Sequence, residues 1–312
     1  TGVEVTELSF GTSSLGSMPD TYGYEVPEQR AQETLKRFFQ GPVNLLDTSR
    51  NYAMGESEKR IGIAIKENGG WPENFVLSTK IDRNMDTLIL DKKRTRESIE
   101  ESLKALNVDS VDVLFLHDPE YVKDINDVTK NDGALDELFK IKEEGLAKAV
   151  GLAMGRIDIM FPILRKWDFD VIINHNRYTL LNREADEMYS YAHSKNISIF
   201  NAAPYAGGVL AKGPSNFKKI TYQDATEEKL APAIEIEKVC KKYNVEMGAA
   251  ALQFSMKDKR ITSTICGVTS VQSIEKNLAW AKTDIPEEFW NEVLKLPYST
   301  KDPESERTYT PG

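Results

Sequence analysis

The sequence predicts an α/β chain folded as a single-domain (β/α)8 barrel of the TIM type. Short β-branched or apolar runs alternate with amphipathic stretches rich in Glu, Lys, Ala and Leu from one end to the other. Runs such as Val111-Asp-Val-Leu-Phe-Leu116 are almost continuously apolar, as parallel strands covered on both faces require. The runner-up is an open doubly wound sheet. Against it, the first strand-to-helix junction, Gly11-Thr-Ser-Ser-Leu-Gly16, lacks the G-x-G-x-x-G phosphate fingerprint.

Strands are expected over 8–11, 43–47, 75–80, 111–117, 147–153, 171–174, 198–201 and 262–266. Helices are expected over 28–39, 56–67, 91–106, 133–144, 156–166, 183–194, 227–243, 247–257 and 270–281. Polar residues near helix entries, Ser57, Thr95–Ser98 and Asp132–Asp136, are read as capping groups. In the 91–106 stretch Ile99, Leu103 and Leu106 follow at spacings of four and three, which gives one stripe toward the barrel wall. No linker or low-complexity tract divides the chain, so residues 1–312 are read as one domain. The 204–226 stretch, rich in Gly, Pro, Ser and Lys, is the longest irregular segment, and loops of that length are usually functional. The polar tail 297–312 either frays or folds over a barrel mouth.

Composition narrows the function classes. Of 312 residues 40% are hydrophobic and 29% charged, an ordinary globular balance, and the net charge of −9 disfavours nucleic acid and anionic membrane surfaces. Cys240 and Cys266 form no redox or metal spacing, which points to a reducing cytoplasm. No apolar run approaches the roughly 18 residues of a membrane span.

The chemistry lies at predicted strand ends, since residues at the carboxyl ends of barrel strands point into the site. Asp47 ends the second strand, Lys80 the third and His117 the fourth, and Tyr52 follows Asp47 in the loop leaving the same end. Each alone has an ordinary explanation. Asp47-Thr48-Ser49 is compatible with a helix-cap cluster, Lys80 with a solvated strand end, His117-Asp118-Pro119 with a turn and Tyr52 with packing. Their convergence on three consecutive strands favours catalysis. A phenol near pKa 10 is a poor acid and base at neutral pH. A lysine ammonium about 4 Å away supplies roughly 4 kcal/mol at an effective dielectric near 20, enough to lower Tyr52 by a few units at ~1.4 kcal/mol each. Asp47 would hold Lys80 charged, and His117 would orient the substrate oxygen. The set suits proton exchange with a carbinol oxygen. G-x-S-x-G and H-E-x-x-H are both absent, and His175 and His193 are scattered, so a nicotinamide is the natural redox partner.

The segment Leu46-Asp-Thr-Ser-Arg-Asn-Tyr-Ala-Met-Gly-Glu-Ser-Glu58, followed by Gly62, resembles the aldo-keto reductase motif around the catalytic Asp and Tyr. Leu77-Ser-Thr-Lys80 and Val111-Asp-Val-Leu-Phe-Leu-His117 resemble its Lys and His motifs. The likeness runs from Leu8 to about Leu294. It implies the barrel, a cofactor bound without a Rossmann fold, and the roles given above to Asp47, Tyr52, Lys80 and His117.

The resemblance also implies cofactor positions. It places Thr12 and Asp47 beside the nicotinamide. Where the family often has Ser-Asn to grip the carboxamide, this chain reads Gly151-Leu-Ala-Met-Gly155, so Ala153 and Met154 cannot donate. A Gln common after the sixth strand maps to Asn174 or His175, and a stacking aromatic maps to Ala202. Ala203-Pro-Tyr-Ala-Gly207-Gly208 resembles the pyrophosphate loop, which involves Ala203, Pro204, Tyr205 and Gly207. In Cys266-Gly-Val-Thr-Ser-Val-Gln-Ser-Ile-Glu-Lys-Asn277, Gly267 and Ser273 stand where a Lys and an Arg clamp the 2′-phosphate of NADP. Val268, Thr269, Lys276 and Asn277 complete that adenosine side. Losing two cations implies that NAD is preferred, with NADP possible through Lys276.

Arg177-Tyr-Thr-Leu-Leu181 and Asn201-Ala-Ala-Pro204 resemble the branch holding aldose 1-dehydrogenases, L-galactose dehydrogenases and pyridoxal dehydrogenase. This implies oxidation of a sugar hemiacetal at C1 to the lactone. The alternatives are a broad aldehyde or ketone reductase using NADPH, a non-turnover redox-sensing barrel, and a Schiff-base aldolase or isomerase built on Lys80. The substrate pocket is expected near Tyr22–Tyr24, Met54, Arg83–Met85, Tyr121 and the tail.

Overall fold

Eight parallel strands close into a barrel in the computed structural model, which describes residues 1–307. They are β1 (Leu8–Gly11), β2 (Leu45–Asp47), β3 (Val76–Ile81), β4 (Val111–His117), β5 (Ala147–Met154), β6 (Val171–His175), β7 (Ser198–Ala202) and β10 (Ser263–Gly267). A two-stranded hairpin, β8 (Lys219–Ile220) and β9 (Gln223–Asp224), intervenes before the last. Closure falls on β1, where Gly11 lies opposite both Asp47 and Gly267. The expected strands are all present, with ends shifted by one or two residues.

Because strand side chains alternate with period two, each strand splits its residues between two cores. Leu45, Val76, Val113, Phe115, Val171, Ile173 and Phe200 fill the barrel interior. Leu46, Leu77, Leu114, Leu116 and Ile172 face outward and pack under the helices. Parity then dictates the mouth. Asp47 is two residues beyond Leu45, Lys80 four beyond Val76, His117 two beyond Phe115 and His175 two beyond Ile173, so all four share the interior face. Gly151 keeps the interior from overfilling: a Cβ there would stand 2.2 Å from the Val171 carbonyl and 2.7 Å from the Phe115 ring.

The helices match expectation closely, from Glu28–Phe39 and Glu56–Glu67 to Val271–Lys282. Ile99 and Leu106 are fully buried and Leu103 packs at the edge of the same stripe. The caps differ. Asp91, not Thr95 or Ser98, caps Lys92–Leu106 by accepting from the Arg94 N–H, and the two predicted residues are buried about one and two turns inside. Ser57 lies within its helix behind an N-cap at Gly55, where its hydroxyl donates to the Thr12 carbonyl. Asp136 accepts from the Asp132 N–H, but the N-cap of its helix is Gly133. Glu287–Val293 is a further helix that the sequence pattern did not isolate.

Two segments cover the mouth. The 204–226 loop holds a helical turn, Val209–Lys212, and the hairpin, tied back by Thr221 N–H to the Ala206 carbonyl at 2.9 Å. The described part of the tail folds over the same end. Buried Arg177 binds Asp302 at 2.5 Å and Glu304 at 2.7 Å. Glu304 also meets Arg307 at 2.6 Å, and Arg307 lies over the Tyr222 ring. Burial opposes ionisation of Glu304, but His175 and Arg177 outweigh it and hold its pKa below the usual carboxylate range. Residues 308–312 lie outside the described part. Among the described residues no helix is long and apolar enough to cross a membrane.

Candidate active site

A cavity of about 320 Å3 opens at the carboxyl end of the barrel, and Asp47, Tyr52, Lys80 and His117 all line it. Its position and size suit a small-molecule site. Lys80 Nζ donates to Asp47 Oδ2 at 2.6 Å and to the Thr48 carbonyl at 2.6 Å, and the Ser78 hydroxyl donates to Asp47 Oδ1 at 2.8 Å. Ser78 and Lys80 share one face of β3, so a single strand supplies both clamps.

Tyr52 is held by a strained turn. Ala53, Met54 and Gly55 all adopt left-handed backbone (φ 50°, 52° and 94°), a run that non-glycine residues rarely accept. Gly16 makes room for it, since a Cβ there would stand 2.5 Å from the Ala53 Cβ. The Lys80 ammonium lies 4.7 Å from the centroid of the Tyr52 ring, under its face. His117 meets the same ring edge-on, with centroids 6.0 Å apart.

The net shift of Tyr52 runs opposite to the lowering expected from Lys80. The phenol pKa is raised well above its ordinary value by burial first, and then by the Asp47, Tyr22, Asp118 and Asp82 side chains. Burial outweighs the Lys80 ammonium, which hydrogen-bonds to Asp47 and lies over the ring. The resting phenol is therefore protonated at neutral pH.

One partner escaped the sequence. Asp82, one residue past β3, places Oδ1 2.7 Å from His117 Nδ1. Its Oδ2 accepts from the Ser49 hydroxyl at 2.6 Å and from the Asn51 N–H at 2.9 Å. Burial opposes the Asp82 charge, but His117 and these donors more than compensate, and its pKa is lowered. An ionised carboxylate only accepts, so Nδ1 carries the proton and Nε2 is left to the cavity. Burial disfavours the imidazolium, yet Asp118 and Asp82 outweigh it and raise the His117 pKa. The signal in the sequence was the alternation Ser78, Lys80, Asp82 on one face. Ser49, read as a cap candidate, belongs to this network.

The implied cofactor positions divide. Asp47, Ala153, His175, Ala203, Tyr205, Gly207, Gly267 and Thr269 line the cavity. Thr12 is buried behind it and donates to the Asp47 carbonyl. Asn174 is corrected outright. It has the outward parity of β6, is fully buried, and donates to the Met154 and Gly155 carbonyls at 2.9 Å each, whereas His175 faces the mouth. Pro204 and Val268 are not part of the lining; Val268 packs in the outer core. The Ser273 hydroxyl closes the capping box with Ser270, the Lys276 ammonium stands 4.5 Å from the Trp280 ring centroid, and Asn277 accepts from the Tyr205 hydroxyl. Of the expected substrate contacts, Tyr22, Tyr24 and, from the tail, Arg307 line the cavity; Met54, Arg83 and Tyr121 do not.

The lining fits a dinucleotide. Gly267 and Thr269, at and just after the end of β10, and Ala203, Gly207 and Gly208, after β7, line the same cavity as Asp47, Tyr52, Lys80 and His117. A Cβ at Gly267 would meet nothing within 4 Å, and Gly207 and Gly208 hold positive-φ backbone that side chains rarely adopt. Among the described residues no group of acidic, His and Cys side chains could hold a metal.

Comparison with known proteins is in accord with this geometry. The aldo/keto reductase family model matches residues 7–296. The chain belongs to the aldo-keto reductase family. It is an oxidoreductase, and its relatives use nicotinamide cofactors. It is 30% identical over 291 residues to the L-galactose dehydrogenase of Arabidopsis thaliana, covering 89% of this chain and 85% of that one. To the D-threo-aldose 1-dehydrogenase of a Pseudomonas species it is 26% identical, with 94% of each chain covered. An aldo-keto reductase of Bacillus halodurans, solved in its holo form, superposes with a TM-score of 0.78 at 21% identity and covers 97% of this chain and 96% of its own. That likeness concerns the fold alone.

Proposed function

We propose that this aldo-keto reductase is an NAD-linked aldose 1-dehydrogenase that oxidises a cyclic sugar at C1 to its lactone. The observation that carries the reading is the convergence of Tyr52 and His117 on one cavity, each backed by its own buried carboxylate network. The bound nicotinamide supplies the two-electron acceptor for the hydride. As the imidazolium that Asp118 and Asp82 favour, His117 donates from Nε2 to the C1 hydroxyl oxygen and fixes its position, while Asp82 keeps the ring oriented. Tyr52 takes the hydroxyl proton in oxidation as its phenolate, having first released its own proton to solvent, and gives a proton in reduction as the phenol. Lys80, clamped by Asp47, supports the ring from below.

The remaining walls suit a sugar. Tyr22 and Tyr24 stack at 5.9 Å and offer flat apolar faces, while Asp118, His175 and Arg307 supply polar groups around them. The two dehydrogenase relatives support the substrate class. NAD is favoured over NADP because Gly267 brings no cation to the adenosine end, Ser273 is spent on its helix cap and Lys276 sits over Trp280.

One observation favours a second reading. A phenol held protonated is ready to give a proton, which suits reduction of an aldehyde or ketone at neutral pH. Assaying aldoses and simple aldehydes in both directions, with NAD and with NADP, separates the two. Lactone formation with NAD is expected to give the highest kcat/KM. Turnover confined to aldehyde reduction with NADPH would overturn the proposal.

A further inference from the structure

We infer that Asp118 determines substrate specificity by accepting a hydrogen bond from a hydroxyl on the carbon next to the reacting one, so that the site takes α-hydroxy carbonyls and aldoses in preference to their deoxy counterparts. The inference deepens the proposed function and rests on its placement of the reacting oxygen at His117 Nε2.

Asp118 follows β4 directly. Its left-handed backbone (φ 45°) breaks the strand, and its N–H is fixed to the Ala153 carbonyl at 2.9 Å. This bend brings the side chain to the cavity lining beside His117. There Asp118 Oδ1 stands 3.5 Å from His117 Nε2, an electrostatic contact too long for a good hydrogen bond. The residue is only 9% exposed and Oδ1 has no hydrogen-bond partner among the described residues.

Three backbone donors of the neighbouring loops are already committed, and His117 Nε2 is kept for the reacting oxygen. The Gly155 and Arg156 N–H groups go to Glu120 Oε1, and the Tyr121 N–H goes to the Asp118 backbone carbonyl. A buried acceptor left without a donor in a native site calls for an explanation, and a carboxylate only accepts. The missing donor is therefore a hydroxyl of the ligand. With the reacting oxygen held at Nε2, an acceptor 3.5 Å from that nitrogen meets the next oxygen along the carbon chain. A substrate lacking that hydroxyl leaves Oδ1 desolvated without a hydrogen-bond donor, which is the situation in which enzymes discriminate most strongly.

The test compares matched pairs, an aldose with its 2-deoxy analogue and lactaldehyde with propanal, in wild type, Asp118→Asn and Asp118→Ala. Wild type is expected to favour the hydroxylated member by about 10²-fold or more in kcat/KM. Asp118→Ala should bring that ratio to within about fivefold, because the hydroxylated substrate loses its partner and the deoxy one does not. Asp118→Asn, which keeps an acceptor oxygen, should fall between. A parallel fall of both members with the ratio unchanged would show that Asp118 acts only through His117 and would overturn the inference. So would a wild-type enzyme indifferent to the hydroxyl, whether or not the variants fold. If aldoses are not turned over but the small pair is, the sugar reading fails while Asp118 is still judged on lactaldehyde against propanal.

Discussion

Lys80 reaches Tyr52 through the face of its ring, with Nζ 4.7 Å from the centroid, while its hydrogen bonds go to Asp47 and Thr48. The ammonium and the phenol oxygen are thus not a simple charge pair. Lys80 and Asp47 form a neutral clamp beneath the ring, and burial with the surrounding acidic side chains sets the phenol pKa upward.

A pH dependence follows, and its sign differs between directions. Reduction uses the protonated phenol, which dominates everywhere below the raised pKa, so its single-turnover rate should stay flat through neutral pH and fall only far into the alkaline range. Oxidation uses the phenolate, whose fraction grows about tenfold per pH unit below the pKa, so its rate should climb steadily from neutral to alkaline pH. Stopped-flow traces of nicotinamide absorbance measure both. An oxidation rate already level at pH 7 would show a lowered phenol pKa and contradict this reading.

Asp82 is expected to act through His117. Asp82→Asn removes the carboxylate that helps raise the imidazole pKa and fixes Nδ1 as the donor. The His117 pKa, followed by NMR, should fall, and kcat/KM should drop by about 10²–10⁴-fold, the range spanned by orienting carboxylates. Asp82→Glu should recover part of the loss. An unchanged His117 titration would remove Asp82 from the mechanism.

Cofactor preference can be moved at Gly267. The open space at its Cβ position accepts a long side chain, so Gly267→Lys should fold normally and bring a cation toward a 2′-phosphate. One charge-assisted bond is worth about 1.5–3 kcal/mol, so the NADP to NAD ratio of kcat/KM should rise about 10- to 100-fold. A ratio unmoved by the substitution would place the 2′ end elsewhere, for instance toward Arg30, which shares a shallow depression with Thr269 and Ser270.

The barrel and the gathering of Asp47, Lys80 and His117 at one cavity were legible because both follow from periodicity. Apolar runs such as Val111–Leu116 mark covered parallel strands, and Asp47, Lys80 and His117 fall at strand ends. The same period of two could have chosen His175 over Asn174, since Val171 and Ile173 share its face. It could also have pointed to Asp82 through Ser78 and Lys80. What period and spacing do not carry is the direction of a polar group. How Tyr52 is seated over Lys80 depends on the strained turn at Ala53 and Met54, and the sign of the pKa shift depends first on how deeply the phenol is buried. The cap at Asp91 was missed for a related reason, because Thr95 and Ser98 are equally good cap residues that tertiary packing buried instead.

The central claim is that Tyr52 carries the proton while its neighbours hold it in place. Tyr52→Phe keeps the ring above Lys80 and removes only the hydroxyl, so single-turnover hydride transfer at saturating cofactor and substrate isolates the proton step. The rate should fall by about 10²–10⁴-fold in both directions, with cofactor affinity, read by fluorescence titration, within a few-fold of wild type. Hydride transfer in Tyr52→Phe at a rate close to wild type would contradict the account.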